Sequence, residues 1–390
     1  MSELRSRASA DDARFMAMAL KLALRGKGRT RPNPLVGCVL VRQGRVIGTG
    51  FHRKPGTPHA EVVAIESARE DVRGSTLYVN LEPCAHYGRT PPCLDLILER
   101  QIGRVVVGTV DPNPLVNGRS IRALRAKGVD VTLGVLEAAC RRMNEVFFKW
   151  VQTGKPFVTL KAGVSLDGKI AAFTGRSKWI TSEVSRRRAH RLRSEVDAIL
   201  VGIGTVLQDN PLLTCRGIRI ASQPLRVVLD SALRIPLDAA VLGPEAESLV
   251  ATTDRAPAEK VAALRARGVQ VEVFSPDRAG RVPLGDLLRR LGEREIQHVL
   301  VEGGRGIFTT VLEEGEGDRL LLFVAPILLG GEEAPGVLGG RGAESPQEAL
   351  RVFDLRCRRS GQDLLLECRL KSSESEESLT ACPVDSKEPG

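Results

Sequence analysis

Residues 82–93 read EPCAHYGRTPPC, and residues 58–61 read PHAE. Together the two stretches supply one imidazole and two thiolates, from His59, Cys84 and Cys93, and zinc accepts both kinds of ligand. A catalytic zinc site has three protein ligands and keeps a fourth position for water. Glu61 lies two residues after the histidine, at the predicted start of a helix, where a carboxylate can move protons beside the metal. The two stretches therefore predict an open zinc site with Glu61 as its acid and base.

The spacing of the cysteines separates several kinds of zinc site. Zinc deaminases have a His-x-Glu stretch followed by a Pro-Cys and a second Cys, but nucleic-acid and nucleoside deaminases usually place two residues between the cysteines. Eight residues intervene here. A purely structural clip with His86 as fourth ligand remains an alternative. The loop favours catalysis, because Gly88, Arg89 and Thr90 offer a turn and groups that can bind phosphate.

Length and composition indicate a globular protein. The 390 residues predict about two domains, and 42% hydrophobic with 27% charged residues is ordinary for such a chain. The N-terminal residues contain no apolar stretch of signal-peptide length. The most apolar run, LLLFVAPILLGG from Leu320, is too short to span a membrane and contains Pro326, so it predicts a buried strand. We expect a cytoplasmic protein that does not contact a membrane.

Charge and cysteine content argue against a nucleic-acid-binding protein and against a disulfide-stabilised one. The formal charge of +10 is scattered over arginine-rich segments, and aromatic residues make up only 4% of the chain, which is poor for stacking on bases. We therefore expect no nucleic-acid partner. The eight cysteines do not form a disulfide scaffold in a chain of this size without a signal peptide.

Hydrophobic periodicity predicts α/β structure in both halves of the chain. The first half alternates strands and helices, with a hairpin around Gly44, and predicts a largely parallel, helix-covered sheet. Around Gly154 and Pro156 the pattern restarts, which indicates a domain boundary. The second half alternates again and ends in a hairpin of residues 350–370. The serine-rich, acidic residues 371–390 are predicted to be a disordered tail.

The motifs of the first half resemble those of a known enzyme family. The stretches PNPLVG (32–37), HAE (59–61), PCAHYGRTPPC (83–93) and DPNPLVNGRSIRALRAKGVDV (111–131) resemble the deaminase domain of the bifunctional deaminase-reductases of riboflavin biosynthesis. The resemblance implies a cytidine-deaminase-like α/β/α domain over residues 1–150. It implies hydrolytic loss of ammonia from a diamino-pyrimidinone that carries a ribosylamino 5′-phosphate. In this family Asn33 belongs to the pocket that receives the pyrimidine.

The motifs of the second half resemble the reductase domain of the same family. They are KAGVSLDGKIA (161–171), GRSKWITS (175–182), HRLR (190–193), GTVLQDNPLLTCR (204–216), LDS (229–231) and EGG (302–304). The resemblance implies a dihydrofolate-reductase-like α/β domain over residues 155–370 that uses NADPH to reduce the ribosyl group to a ribityl chain. On its own, LVEGGRGIFTTVL (300–312) would indicate no more than a strand-to-helix turn.

The resemblance also assigns contacts within the reductase domain, residue by residue. It implies that NADPH contacts Gly163, Trp179, Thr205, Asp209, Ser231, Gly304, Arg305, Gly306, Ile307 and Phe308. It implies that the substrate contacts Ser177, Arg193, Leu213, Arg216 and Glu302.

Two alternatives belong to other functional classes. One is a deaminase that edits nucleic acid and uses its second domain for binding. The other is a non-catalytic, zinc-stabilised scaffold. The favoured hypothesis is a bifunctional enzyme that contains zinc, uses NADPH, takes a small phosphorylated pyrimidine as its substrate and forms a homo-oligomer.

Overall fold

The chain divides into two compact units, Met1–Lys155 and Pro156–Gly390. The computed structural model describes residues 9–87, 91–218, 220 and 222–372. From residue 373 onward the predicted acidic tail lies outside the described residues. Gly154 ends the last helix of the first unit with φ 67°, a left-handed conformation that glycine adopts without strain.

The first unit is built around one mixed sheet. Its helices are α1 (Ala10–Ala23), α2 (Ala60–Glu66), α3 (Cys93–Glu99), α4 (Arg119–Ala126), α5 (Glu137–Met143) and α6 (Glu145–Thr153), and a short 3₁₀ helix, Leu24–Gly26, follows α1. Its strands are β1 (Gly37–Arg42), β2 (Arg45–Phe51), β3 (Thr76–Val79), β4 (Arg104–Val107) and β5 (Asp130–Leu133). The strands lie in the order β2-β1-β3-β4-β5.

Both faces of this sheet are covered, because successive side chains of a strand point to opposite faces. In β1, Cys38 and Leu40 belong to the core cluster that α2, α3 and α4 cover, whereas Val39 and Val41 pack in the cluster beneath α1. The result is a helix–sheet–helix sandwich. The expectation of a largely parallel sheet is wrong for this unit, because β1 pairs antiparallel with both β2 and β3. The β1–β2 pairing is the predicted hairpin at Gly44, and a hairpin forces neighbouring strands to run in opposite directions.

The second unit contains a larger sheet. Its strands are β6 (Phe157–Ser165), β7 (Ala198–Gly202), β8 (Leu225–Leu229), β9 (Ser248–Thr253), β10 (Gln270–Phe274), β11 (His298–Glu302), β12 (Arg319–Ala325), β13 (Phe353–Ser360) and β14 (Asp363–Arg369). Its helices are α7 (Glu183–Arg193), α8 (Ile203–Asp209), α9 (Ala258–Ala266), α10 (Leu284–Glu293) and α11 (Arg305–Glu313), with a 3₁₀ helix at Ala240–Leu242. The strand order is β10-β9-β8-β7-β11-β6-β12-β14-β13.

From β10 to β12 all strand pairings in this sheet are parallel. Their carboxyl ends therefore meet at one edge, and the loops that follow β6, β7, β8 and β11 lie side by side. Apolar side chains bury both faces, for example Val227 on one face and Val228 on the other. This edge is where an open parallel sheet binds its ligands.

The last strands depart from this pattern. β14 pairs antiparallel with β12 and β13, which forms the predicted closing hairpin around Gly361 and leaves β13 at the edge of the sheet. The apolar run from Leu320 is a strand only as far as Ala325. Pro326 follows directly and ends the strand, because proline has no N–H group to continue the pairing. Leu328, two residues later, is 74% exposed. No helix within the described part of the chain combines the length and apolar character needed to cross a membrane.

Candidate active sites

Helix starts and one loop bring the predicted zinc ligands together in the first unit. His59 is the residue just before α2, Cys93 is the first residue of α3, and Cys84 lies in the loop after β3. The Nδ1 atom of His59 is 3.3 Å from the Sγ of Cys93 and 3.5 Å from the Sγ of Cys84. Tetrahedral zinc with ordinary bond lengths requires a nitrogen and a sulfur ligand about 3.6 Å apart. The three donors therefore fit a zinc ion.

Electrostatics in this cluster favour thiolate at Cys84. Hydrogen bonds from the Cys93 thiol and from His59 outweigh burial and lower the pKa of Cys84. The backbone N–H of Cys93 also donates to the Cys84 sulfur, at 3.2 Å. Metal binding requires deprotonated cysteine, so these contacts prepare a ligand.

The described residues supply three donors to the cluster, one fewer than tetrahedral zinc requires. Among the described residues the metal-ligating group comprises His59, Cys84 and Cys93, and His86 is not part of it. The structural-clip alternative, which needed His86 as a ligand, is therefore not supported. The loop residues Gly88, Arg89 and Thr90, to which the sequence assigned phosphate binding, lie outside the described residues.

Glu61 is a buried acid beside this cluster. It lies in the first turn of α2 and is 3% exposed, and its Oε2 atom has no hydrogen-bond partner among the described residues. Burial, together with the charge of Cys84, raises the pKa of its carboxyl to about 7. A cation bound nearby would lower the pKa of Glu61. A carboxylate oxygen without a partner, next to three metal donors, is placed to accept and return a proton.

Asn33 reaches the same site through a histidine that the sequence analysis did not identify. The Nδ2 atom of Asn33 is 3.0 Å from the Nε2 of His52, and the His52 ring lies 5.5 Å from the ring of His59. Burial lowers the pKa of His52, which favours the neutral ring. The contacts fit the tautomer in which Nδ1 donates to the carbonyl of Pro58 and Nε2 accepts from Asn33.

Glu82 anchors the loop that carries Cys84. It is 3% exposed, and its Oε2 atom accepts the N–H of Gly118 at 2.8 Å. Its Oε1 atom accepts both the hydroxyl and the N–H of Ser120, at 2.8 and 3.2 Å. These donors lie at the start of α4, where the free N–H groups of a helix attract an anion. Glu82 lies two positions before Cys84 and therefore holds the Cys84 loop against the start of α4.

We expect Glu82→Gln to weaken zinc binding without removing a ligand. A glutamine amide offers one oxygen for donors that now bond two, and its NH₂ group faces N–H donors, so the Cys84 loop loses its anchor. The rate of zinc loss to a chelator should rise about 10- to 100-fold, as for other groups that support metal ligands. Glu99→Gln on α3, an exposed change of the same kind, is the control. Equal zinc retention by Glu82→Gln and Glu99→Gln would contradict the anchoring role.

A cavity of about 1360 Å³ lies at the carboxyl ends of the parallel strands in the second unit. Nearly all of the reductase contacts implied by resemblance line it: Gly163, Ser177, Trp179, Arg193, Thr205, Asp209, Leu213, Arg216, Ser231, Glu302, Gly304, Arg305, Gly306 and Ile307. Phe308 is the exception, since its ring is 1% exposed and packs in the core. The structure therefore brings predicted contacts from Gly163 to Ile307 to one cavity.

A buried charge cluster occupies the floor of this cavity. Arg193 donates from Nε and Nη2 to the two carboxylate oxygens of Glu302, at 2.8 and 2.9 Å, and from Nη1 to the carbonyl of Thr214. The Nζ atom of Lys161 lies 3.1 Å from the same carboxylate. Burial alone would raise the pKa of Glu302, but Arg193 and Lys161 outweigh it and hold that pKa far below its usual range. Glu302 is therefore ionised, and its position is fixed from both sides.

The glycine turn after β11 is held against α8. The N–H of Gly304 donates to the Oγ1 of Thr205 at 3.1 Å. At Gly303, φ is 144° and an added Cβ would lie 2.7 Å from that same oxygen, so a side chain is not accommodated. α11 begins directly after this turn, so its free N–H groups lie at the cavity, where they can bind phosphate.

Trp179 and Ser177 lie on a loop that borders the cavity. Trp179 is 69% exposed, and the Arg186 guanidinium lies 4.5 Å above its ring. The hydroxyl of Ser177 donates to the carboxylate of Asp209 at 3.1 Å. A predicted substrate contact and a predicted cofactor contact are therefore hydrogen-bonded to each other.

Comparison with known families gives each unit a counterpart. Residues 9–109 match the cytidine and deoxycytidylate deaminase zinc-binding region, and residues 156–366 match the RibD C-terminal domain. The riboflavin biosynthesis protein RibD of Aquifex aeolicus is 45% identical over 355 residues, which cover 91% of this chain and 97% of that protein. The chain belongs to the RibD family.

Further RibD proteins are similar along nearly their whole length. The Escherichia coli protein is 38% identical over 367 residues, covering 91% of this chain and 98% of its own. Among solved structures, Acinetobacter baumannii RibD has a TM-score of 0.81 at 38% identity. A Thermotoga maritima diaminohydroxyphosphoribosylaminopyrimidine deaminase/5-amino-6-(5-phosphoribosylamino)uracil reductase has a TM-score of 0.77 at 39% identity. Each structure covers 92% of this chain, which in turn covers 98% of it.

Membership of the RibD family confirms the main predictions. The chain is a bifunctional enzyme of riboflavin biosynthesis, with a zinc-binding deaminase domain followed by a reductase domain that uses NADPH. The predicted α/β fold with these two domains is confirmed as well. The roles of individual site residues remain predictions.

Sequence reasoning predicted the zinc ligands that the structure brings together, but it did not predict the roles of the residues around them. His52 and Glu82 act through contacts with residues 19 and 36 positions away, and nothing in the local sequence indicates such partners. His190 is a similar case in the reductase domain. Its Nδ1 accepts the N–H of Arg216 at 3.3 Å, while burial, Arg193 and Arg216 lower its pKa, which keeps the ring able to accept.

Proposed function

We propose that the first domain deaminates a diamino-pyrimidinone that carries a ribosylamino 5′-phosphate, and that the second domain reduces the ribosyl chain of the product. The observation that carries this proposal is the cluster of His59, Cys84 and Cys93 with the unpaired, buried carboxylate oxygen of Glu61 beside it. An open three-ligand site with an adjacent acid is the arrangement of hydrolytic zinc enzymes. A phosphorylated pyrimidine suits both domains, since the second cavity contains arginines that can clamp phosphate.

In the first step the protein provides ligands, a proton carrier and a pocket. Zinc, when bound, supplies Lewis-acid activation of water near neutral pH. Glu61 accepts the proton of that water and delivers it to the amine that leaves the ring. Asn33, oriented by its contact with the neutral ring of His52, hydrogen-bonds the pyrimidine from the side. The burial of Glu61 excludes bulk water from the proton transfer.

In the second step the protein orients two ligands in one cavity. NADPH supplies the hydride, and the turn Gly304–Ile307 with the start of α11 holds its pyrophosphate. Arg216 clamps the substrate phosphate. Arg193 helps, because its guanidinium has five N–H groups and only three of them bond Glu302 and Thr214. Glu302 accepts hydrogen bonds from the ribosyl group. The implied cofactor role of Phe308 is limited to its backbone, because its ring is buried in the core.

One assay tests both halves of the proposed function. Purified protein with zinc quantified is given the pyrimidine substrate with and without NADPH. We expect ammonia release in both cases and NADPH oxidation only after deamination. Failure of the zinc-loaded protein to release ammonia would contradict the first half. Release of ammonia without later NADPH oxidation would contradict the second.

We also propose that the protein acts in the cytoplasm on small molecules, without nucleic acid or membrane partners. All described cysteines are free thiols, and a zinc site with two cysteine ligands requires reduced sulfur, which a reducing compartment maintains. Two phosphate-binding arginines set in a cavity suit a single small substrate better than a nucleic-acid backbone.

The proposed homo-oligomer forms at the edge strand β13. Every residue of this strand except Ser360 is exposed, and Leu355 is 63% exposed. Phe353, the first residue of β13, is 39% exposed, and Leu350, just before the strand, is 57% exposed. An edge strand with unpaired backbone groups and apolar side chains is a template for pairing with a second copy of the chain.

We expect Leu355→Asp to dissociate this oligomer, because it places charge at the apolar strand that the second copy covers. Light scattering coupled to size-exclusion chromatography should show a smaller species for this variant than for the wild type. Val273→Asp is the matched control, since Val273 is 47% exposed on β10, the opposite edge of the sheet. A variant mass equal to that of the wild-type oligomer would contradict the assignment of β13.

A further inference from the structure

A second group of arginines lies in the reductase cavity, away from the residues assigned to the substrate. Arg234 and Arg281 line the cavity, and neither was identified from the sequence. Arg234 follows β8 and makes no hydrogen bond or ion pair with any other described residue. Arg281 lies in the loop before α10. A cationic side chain without a partner among the described residues, such as Arg234, suits an anionic ligand in this cavity.

The two arginines flank Ser231, which is a predicted NADPH contact. The Oγ of Ser231 accepts the N–H of Val282, the residue after Arg281, at 3.0 Å. Arg234 lies three positions after Ser231 in a tight turn, where the N–H of Ile235 donates to the buried carboxylate of Asp230 at 2.7 Å. The turn fixes the backbone position of Arg234. The contact between Val282 and Ser231 fixes the backbone next to Arg281 near the same serine.

Arg281 still has groups available for a ligand. Its Nε donates to Asp277 at 3.3 Å, and its Nη1 lies 3.4 Å from the hydroxyl of Thr310 on α11. The guanidinium has five N–H groups, so three remain, all on the Nη atoms. The Asp277 pair engages Nε, which leaves the Nη atoms at the tip of the side chain for an anion.

Strand order identifies which end of the cofactor this is. Gly163 lies on β6 and Ser231 follows β8, and β11 and β7 lie between these two strands. Neighbouring strands are spaced about 4.8 Å apart, so the two positions are about 14 Å apart, and a cofactor that contacts both must lie across the ends of the strands. The nicotinamide must meet the substrate, which binds at Glu302 on β11, next to β6. The end near Ser231 is therefore the adenosine end.

We propose that Arg234 and Arg281 bind the 2′-phosphate of NADPH and so select NADPH over NADH. This inference rests on the proposed reductase function and extends it to the feature of the cofactor that is recognised. The 2′-phosphate is a dianionic monoester on the adenosine ribose, and guanidinium matches phosphate oxygens in both geometry and charge. The substrate phosphate has its own arginines, Arg193 and Arg216, near Glu302. The cavity therefore has one basic group for each phosphate monoester.

Binding of two small probes tests the inference without relying on turnover. Calorimetry on the full-length wild-type protein should show 2′,5′-ADP binding tighter than 5′-AMP. Arg234→Ala should weaken 2′,5′-ADP by about 10- to 100-fold, the effect of losing one charge-assisted hydrogen-bonding partner, and leave 5′-AMP unchanged. Arg281→Ala should act in the same direction. Arg234→Ala is the more decisive variant, because it breaks no hydrogen bond or ion pair to another described residue.

Kinetics provide the second readout. In Arg234→Ala the KM for NADPH should rise toward that for NADH, with kcat little changed. Arg289→Ala is the control, because Arg289 is exposed on α10, pairs with Asp286 and does not line the cavity. Equal losses for 2′,5′-ADP and 5′-AMP, or no loss for either, would overturn the inference. A failed reductase reaction in the wild type with normal 2′,5′-ADP selectivity would instead count against the proposed function.

Discussion

Glu61→Gln should abolish ammonia release while the protein retains its zinc and still oxidises NADPH with the deaminated substrate. Glutamine has nearly the shape of glutamate but cannot accept and return the proton, and general acid–base catalysis contributes about 10²- to 10⁴-fold to a rate. The proposed zinc ligands are His59, Cys84 and Cys93, none of which changes. Ammonia release, zinc content and NADPH oxidation are measured on the same preparation.

Glu66→Gln is the matched control, because Glu66 is at the other end of α2 and exposed. It should leave all three measurements unchanged. Ammonia release by Glu61→Gln at the wild-type rate would refute the acid–base role. Loss of zinc from this variant would show that Glu61 supports the metal site, and the loss of activity could then not be assigned to proton transfer.

Arg193→Ala should have the largest effect in the second domain, on both stability and catalysis. It leaves the buried carboxylate of Glu302 with Lys161 as its remaining cationic partner. Removing one partner of a buried ion pair costs about 3–5 kcal/mol, and Lys161 should keep the loss near the lower value. The free energy of unfolding of the second domain, from urea titration, should fall by about 3 kcal/mol. The KM for the deaminated substrate should rise as well.

Arg216→Ala separates binding from stability. The Arg216 side chain makes no ion pair with a described residue, so its loss should raise the substrate KM while leaving the free energy of unfolding and the deaminase step nearly unchanged. Equal free energies of unfolding for Arg193→Ala and Arg216→Ala would contradict the stabilising role of the buried Arg193–Glu302 pair. Unchanged reductase kinetics in Arg216→Ala would contradict the phosphate clamp.

The pH dependence of stability should differ between Arg193→Ala and the wild type. The folded pKa of Glu302 is lowered, so its contribution is present above the unfolded carboxyl pKa and is lost as the pH falls toward the folded value. The wild-type second domain should therefore lose stability when the pH falls from about 5 to about 3. In Arg193→Ala only Lys161 remains to oppose burial, so the pKa of Glu302 is lowered less and acidification should cost less stability. Urea titrations at the two pH values measure the difference.

Motif order was enough to predict the zinc ligands, because each motif places a distinctive residue type at a helix start or in a proline-rich loop. It was not enough to predict sheet direction. The first domain has the strand–helix alternation of a parallel sheet, yet β1 pairs antiparallel with β3. Local periodicity reports which faces of an element are buried, and it carries no information on which strand lies beside it.

The supporting contacts were beyond sequence reasoning for the same reason. Glu82 reads as part of a zinc motif, but its carboxylate belongs to the start of α4. Arg234 and Arg281 lie 47 positions apart, and no motif of the sequence links them. Each role depends on a partner that is distant in sequence.

The sequence by itself determined that the EPCAHYGRTPPC stretch and the HAE stretch form a zinc site, that two α/β domains follow each other, and that the family is a deaminase-reductase. Those conclusions depend on residue types and on order along the chain. Only the tertiary structure decided that His86 is outside the metal cluster, that the ring of Phe308 is buried, and that a separate pair of arginines flanks Ser231. Those facts depend on which surfaces pack together, because burial and charge pairing are properties of the folded chain.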